Sequence, residues 1–180
     1  MINSAIILEF WFKECTPKMW FKKDLEFDQL IKNRFQKTLE YCLENKINKI
    51  PITKENCFSW IIVLDQFSRN IYRSQIRSFA ADEKALKLSK ISIKKSFLKS
   101  KEYKYNSFLL MPFMHSEKFS DHEFSLPFFK KCTNKKTYAS ALRHKKVIET
   151  FSRYPHRNEI LGRRSTKSEL DFLKLRRSKF

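Results

Sequence analysis

Apolar residues recur every three or four positions along most of the chain, and that period is helical. Between Asp24 and Glu44 the stripe is Phe27, Leu30, Ile31, Phe35, Thr38, Leu39 and Cys42, and Asp24 stands just before it as a side chain suited to capping a helix. Thr53 to Arg73 predicts a second long helix. Its first half is apolar almost all round, which places it at the centre of the fold rather than on the surface. Its second half changes character: on a helical wheel Asp65, Gln66, Arg69, Asn70 and Arg73 share one sector, and Trp60, Leu64, Phe67 and Ile71 hold the opposite one. Asp65 and Arg69 continue the stripe begun by Phe58, Ile61 and Ile62, so partly buried charge is expected there.

Shorter elements flank these two. An aromatic-rich helical segment over residues 3–13 stops before Pro17, and Asp82 opens a helix to about Lys90. Tyr103 to Met111 reads as a helix closed near Pro112, because proline disfavours the helical conformation in the residue before it; His115 and Glu117 then fall in a loop. Ser120 and Glu123 have capping-box spacing for a helix to about Lys131, and Thr166 and Glu169 have it for a last helix bearing Leu170, Phe172, Leu173 and Leu175. Between them, Asn134 caps a helix to Phe151 whose apolar stripe is Ala141, Val147, Ile148 and Phe151, with His144 in its middle. The pattern predicts an all-α fold of seven or eight antiparallel helices, with helical hairpins stacked in a bundle or short solenoid. A length of 180 residues suits one core, so a single all-helical domain over residues 1–180 is expected. The one glycine, Gly162, leaves few places for the tight turns of β-hairpins.

Composition changes the picture less than it first promises. A formal charge of +19 invites a nucleic-acid reading, yet the lysines spread over every exposed helical face. Phe, Ile, Asn and Lys rise together while Gly, Ala and Pro fall, as codon bias toward A and T produces, so specific nucleic-acid binding is not expected. The arginines are clustered instead: seven of eleven lie at 69, 73, 77, 153, 157, 163 and 164. Cys15, Cys42, Cys57 and Cys132 are isolated and read as thiols in a reducing compartment. No window is long and apolar enough for a membrane span and the first residues make a poor signal peptide, so a cytoplasmic location away from the membrane is expected.

The chemistry-bearing residues fall in four stretches: Asp65–Arg73, Pro112–Glu123, the helix carrying His144, and Phe151–Ser165. Arg69, Arg73, Arg153, Arg157 and Arg163 offer more cationic forks than Asp65, Glu117 and Glu159 can accept in pairs, so their convergence predicts a vacancy for an anion. The ligand-binding set expected on that ground is Asp65, Arg69, Asn70, Arg73, His115, Glu117, His144, Arg153, His156, Arg157, Asn158 and Arg163. His115, Glu117 and His156 are the candidates for acid–base work. No histidine pair has metal-ligand spacing, and no metal or other cofactor is expected. Asp65, Asp82, Glu117, Asp121 and Glu159 could instead each take one arginine and close the network internally, which would make it structural.

Four strings, LDQFSRNIYR, FAAD, LLMPFMHSE and FSRYPHRNEILGRRST, resemble in order and spacing the family catalogued as domain of unknown function 924. The resemblance covers nearly the whole chain and implies a tetratricopeptide-like helical fold; it implies no reaction. The chain departs from that pattern at Ser68, where proline is usual, at His122, where glutamine is common, and at Ser152, where glycine is common and would allow close backbone approach to a ligand. Three functions follow as expectations: a pocket for an anionic small molecule bearing phosphate or carboxylate, a tetratricopeptide-like module binding an acidic peptide, and a hydrolase using the same pocket, with or without a metal ion.

Overall fold

The computed structural model describes residues 2–175. Among these residues are nine helices, short 3-10 turns in the connections, and no strand. Helix α1 covers residues 4–14, its α-helical part Ser4–Glu9 continuing into a widened π stretch Phe10–Glu14. Then come α2 (Pro17–Phe21), α3 (Leu25–Glu44), α4 (residues 54–71), α5 (Asp82–Lys94), α6 (Tyr103–His115), α7 (Phe119–Cys132), α8 (Lys135–Phe151) and α9 (Lys167–Leu173). The all-α expectation holds. The count exceeds eight by α2, a five-residue helix too short to carry a periodic stripe, started by Pro17 at its first position. No helix among the described residues is long and apolar enough to cross a membrane.

Local chemistry sets most helix ends where the sequence places them. Asp24, Thr53 and Asn134 each accept the backbone N–H three residues on, at 3.2, 3.1 and 2.8 Å. Thr166 and Glu169 form the reciprocal box, at 3.2 and 2.7 Å. Two expectations need correcting. No box forms at Ser120: α7 starts at Phe119, and Asp121 and His122 both turn inward and are buried. Nor does α6 end at Pro112, for it runs on to His115. Every residue from Asn106 to Met114 is buried, so packing outweighs the amide that Pro112 lacks, and His115 ends a rigid helix instead of lying in a loop.

Helix α4 is central, as its all-round apolarity requires: every residue from Cys57 to Ser68 is buried. Phe67 packs on Phe35 of α3 with centroids 4.8 Å apart, and Phe35 on Phe10 of α1 at 4.9 Å. Full burial of each such ring contributes about 1.5–3 kcal/mol. Lys84 of α5 closes the end of α3 by donating to the carbonyls of Cys42, Leu43 and Asn45, at 2.9, 2.6 and 3.1 Å. A smaller apolar cluster of Val147, Ile148 and Tyr154, with Phe119, Phe151 and Phe172 packed against it, seats the segment after α8 and helix α9.

Ser152 ends α8 in the left-handed conformation, at φ 57° and ψ 8°. A glycine there therefore has a helix-closing role, and nothing ties it to a ligand. Removing the Cβ penalty makes Ser152→Gly stabilising by about 1 kcal/mol, read as a higher urea midpoint; an unchanged or lower midpoint would contradict it.

Candidate functional site

The middle of α4 departs from α-helical geometry. Ile62–Phe67 is a π turn, in which the Ser68 N–H donates to the Val63 carbonyl five residues back. Two carbonyls in the widened turn take side-chain donors: Leu64 accepts from Ser68 Oγ at 2.5 Å, and Asp65 accepts from Arg69 Nη1 at 2.8 Å. Such turns inside helices recur at functional sites, and this one carries Asp65 and Gln66.

Asp65 is fully buried. Its Oδ1 lies 2.6 Å from His115 Nδ1 and 3.4 Å from Arg69 Nη1, and its Oδ2 accepts from Gln66 Nε2 at 2.6 Å. Burial pushes this carboxyl up, but His115, Arg69 and the hydrogen bonds from His115 and Gln66 prevail and hold it at about 2. For His115 the balance runs the other way: burial and the charge of Arg69 outweigh the Asp65 partner and hold the imidazole below its ordinary value. A neutral ring that donates from Nδ1 to a carboxylate keeps a lone pair on Nε2, and Nε2 has no partner among the described residues. Carboxylate and imidazole in this order orient a base.

Each of the five arginines expected to hold a vacancy has a protein partner. Arg73 pairs with Asp28 of α3 through Nε and through Nη2, the latter at 2.6 Å, and Asn70 donates to the same carboxylate at 2.8 Å. Arg69 reaches Asp82 of α5 at 2.9 Å. Arg157 is buried between the rings of Phe79 and Tyr154, donating to the His115 carbonyl at 2.9 Å and lying 3.4 Å from Asp82. Burial and the charge of Arg69 pull its guanidinium below the usual value. Arg153 pairs with Glu169 at 2.6 and 2.8 Å, and Arg163 with Glu117 at 2.7 and 3.0 Å. The count of forks against acceptors omitted Asp28, Asp82 and Glu169, so it yields no vacancy of whole arginines. Asp28 was within reach of sequence reading, since positions 28, 31, 35, 39 and 42 form the buried stripe of α3.

Beside this network lies a cavity of about 1180 Å³. Of the expected residues, Arg69, Asn70, Arg73, His115, His144 and His156 line it; Asp65 and Arg157 sit behind the wall, bonded to residues that do. Glu117, Arg153, Asn158 and Arg163 are not brought to it. They brace the segment after α8: Glu117 accepts from the Tyr154 N–H at 2.7 Å, and Asn158 accepts from Arg163 at 3.0 Å. Tyr154 hydroxyl donates to the Met114 carbonyl, tying that segment to α6. Lining residues outside the expected set include Lys22, Lys23, Gln66, Ser140, Arg143 and Glu159. Lys22 and Lys23 follow the short α2, and Arg143 precedes His144 on α8; charge alone did not separate them from other surface cations.

His144 Nδ1 lies 2.8 Å from the Ser140 carbonyl, and burial pushes its imidazole down to about 3, against that bond. Among the described residues no three His, Cys, Asp or Glu side chains gather as a metal-binding group. Cys15, Cys42 and Cys57 are buried free thiols, and Cys132 is half-buried.

No curated protein matches the chain. Among solved structures it is similar to a protein of unknown function, ATU0120 from Agrobacterium tumefaciens, with TM-score 0.80 and 27% identity over 95% of this chain and 96% of that one. The family model described as bacterial protein of unknown function (DUF924) matches residues 7–176, and the chain belongs to that family.

Proposed function

We propose that the protein binds a small anionic molecule, bearing a carboxylate or phosphate, in the cavity beside α4, α6 and α8. The observation that carries this reading is the distribution of charge in its wall. Lys22, Lys23, Arg69, Arg73 and Arg143 line the cavity with Glu159 as the one carboxylate among the lining residues, whereas Asp28 and Asp65, which fix Arg73 and Arg69, are buried beneath. A guanidinium has five N–H groups, so pairing with a buried carboxylate orients it without exhausting it. Arg73 spends Nε and Nη2 on Asp28, and its Nη1 has no partner among the described residues. Arg143 is exposed, with no ion pair among them. The surplus is therefore one of N–H groups, smaller than the one counted from whole residues.

A thermal-shift screen of phosphates, nucleotides and carboxylates tests the reading. Ligand at a hundredfold excess over Kd stabilises the fold by about 2.7 kcal/mol, a shift easily resolved. Arg143→Ala, which removes an exposed side chain, should weaken binding while the free protein melts as before. If no anion raises the melting temperature of the wild type, the proposal fails.

The Asp65–His115 pair favours a second reading, in which the bound molecule is also hydrolysed with His115 as general base. His115→Asn would then abolish turnover and leave binding within a small factor. The tetratricopeptide-like module for an acidic peptide has less support, because the arginines and histidines gather in one cavity wall, as suits a single anionic group.

A further inference from the structure

We infer that the molecule bound in this cavity is amphipathic, with an anionic head at Arg69 and Arg73 and a straight apolar chain lying along Trp20, Phe21 and Leu170. This rests on the anion-binding reading above and names the class of ligand within it.

The cavity wall has two characters. Toward α4 and the end of α6 it presents Arg69, Asn70, Arg73 and His115, and toward α2 and α9 it presents the apolar Trp20, Phe21 and Leu170, with Lys22 and Lys23 beside Phe21. Phe21 is 70% exposed and Leu170 is 50% exposed, although both border a cavity that polar side chains could have lined more cheaply. Neither aromatic of α2 is loosely placed. The Trp20 indole donates to the Trp11 carbonyl at 2.9 Å, which consumes its polar atom and leaves the ring as an apolar surface. Trp20 also packs edge-on against Phe108 at 5.0 Å, and the Phe21 ring lies parallel to Phe108 at 6.3 Å. A five-residue helix with no buried residue of its own thus holds two large apolar side chains on the cavity rim.

A lone phosphate or short dicarboxylate would cover the cationic wall and leave the apolar wall in water. An anion with an alkyl tail covers both walls at once. Burial of each further methylene on that wall then adds affinity, by up to about fourfold per group.

Isothermal titration of the full chain with straight-chain carboxylates from acetate to decanoate, each below its micellar concentration, tests this directly. Affinity should rise with every methylene from butyrate onward, by about two- to fourfold per step. Decylammonium, the same chain on a cationic head, should bind at least tenfold more weakly than decanoate. Phe21→Ser and Leu170→Ser alter exposed side chains; they should flatten the dependence on chain length while leaving acetate and inorganic phosphate binding unchanged. Equal affinity for acetate and decanoate overturns the inference yet leaves the anion-binding reading intact. So does a full chain-length dependence retained in the double variant. Decylammonium binding as tightly as decanoate overturns it as well, because the head group would then go unread. If no carboxylate or phosphate binds at all, both readings fall together.

Discussion

Asp65→Asn is expected to remove about 3–5 kcal/mol of folding stability, a large share of the roughly 5–15 kcal/mol that holds a domain of ordinary size. The reason is local. The carboxylate is fully buried and serves His115, Gln66 and Arg69 at 2.6, 2.6 and 3.4 Å. An amide in its place sets an N–H₂ group against another donor and leaves Arg69 to share Asp82 with Arg157. Glu159→Gln, an exposed change on the cavity rim, should stay within about 0.5 kcal/mol. Urea unfolding of the two variants beside the wild type decides the matter. A loss below about 1 kcal/mol for Asp65→Asn would falsify the view that this carboxylate anchors the network.

That prediction depends on geometry the sequence displays only in part. The polar sector of α4 and the burial of Asp65 are legible from the wheel, because the apolar stripe runs straight into Asp65 and Arg69. The π turn is not, since a regular period of 3.6 has no means of registering a locally widened ring of backbone hydrogen bonds. His115 falls in a loop by the rule for residues before proline, which weighs one local clash and takes no account of the buried run Asn106–Met114. The arginine partners were half visible. Asp82 is among the carboxylates able to close the network, whereas Glu169 reads as a capping acid and Asp28 shows only through its place on the buried stripe of α3. Glu169 does both jobs, accepting the Thr166 N–H at 2.7 Å and Arg153 at 2.6 Å. The apolar end of the cavity was beyond reach, because α2 is shorter than two helical turns and Trp20 and Phe21 read equally well as core.

Acidification should unfold the protein in two stages, the first led by histidine. His144 is buried on the apolar face of α8, where burial, helped by the nearby positive charges, outweighs its bond to the Ser140 carbonyl and holds it at about 3, against about 6.5 in an unfolded chain. A group whose folded pKa is depressed stabilises the fold above its unfolded pKa, and that contribution is lost as the pH falls, because the unfolded chain takes up the proton first. For His144 the loss begins near pH 6.5 and runs toward pH 3, at about 1.4 kcal/mol per pH unit, or about 2 kcal/mol by pH 5. His115 and His122 are also lowered chiefly by burial and act in the same direction; His156 is held at about 4 but is exposed to solvent and contributes less. Asp65 enters the second stage, between its ordinary value near 3.8 and about 2, with a further loss of about 2 kcal/mol as the carboxylate is protonated. Urea midpoints at pH 7, 6 and 5 should therefore fall, more steeply below pH 6.5, before Asp65 titrates. His144→Gln, which can still donate to Ser140, should reduce the slope over that range by about one proton. Stability that stays level from pH 7 to pH 5 would mean that these imidazoles take up protons without leaving their sites, and the cavity would then carry additional positive charge at mildly acidic pH.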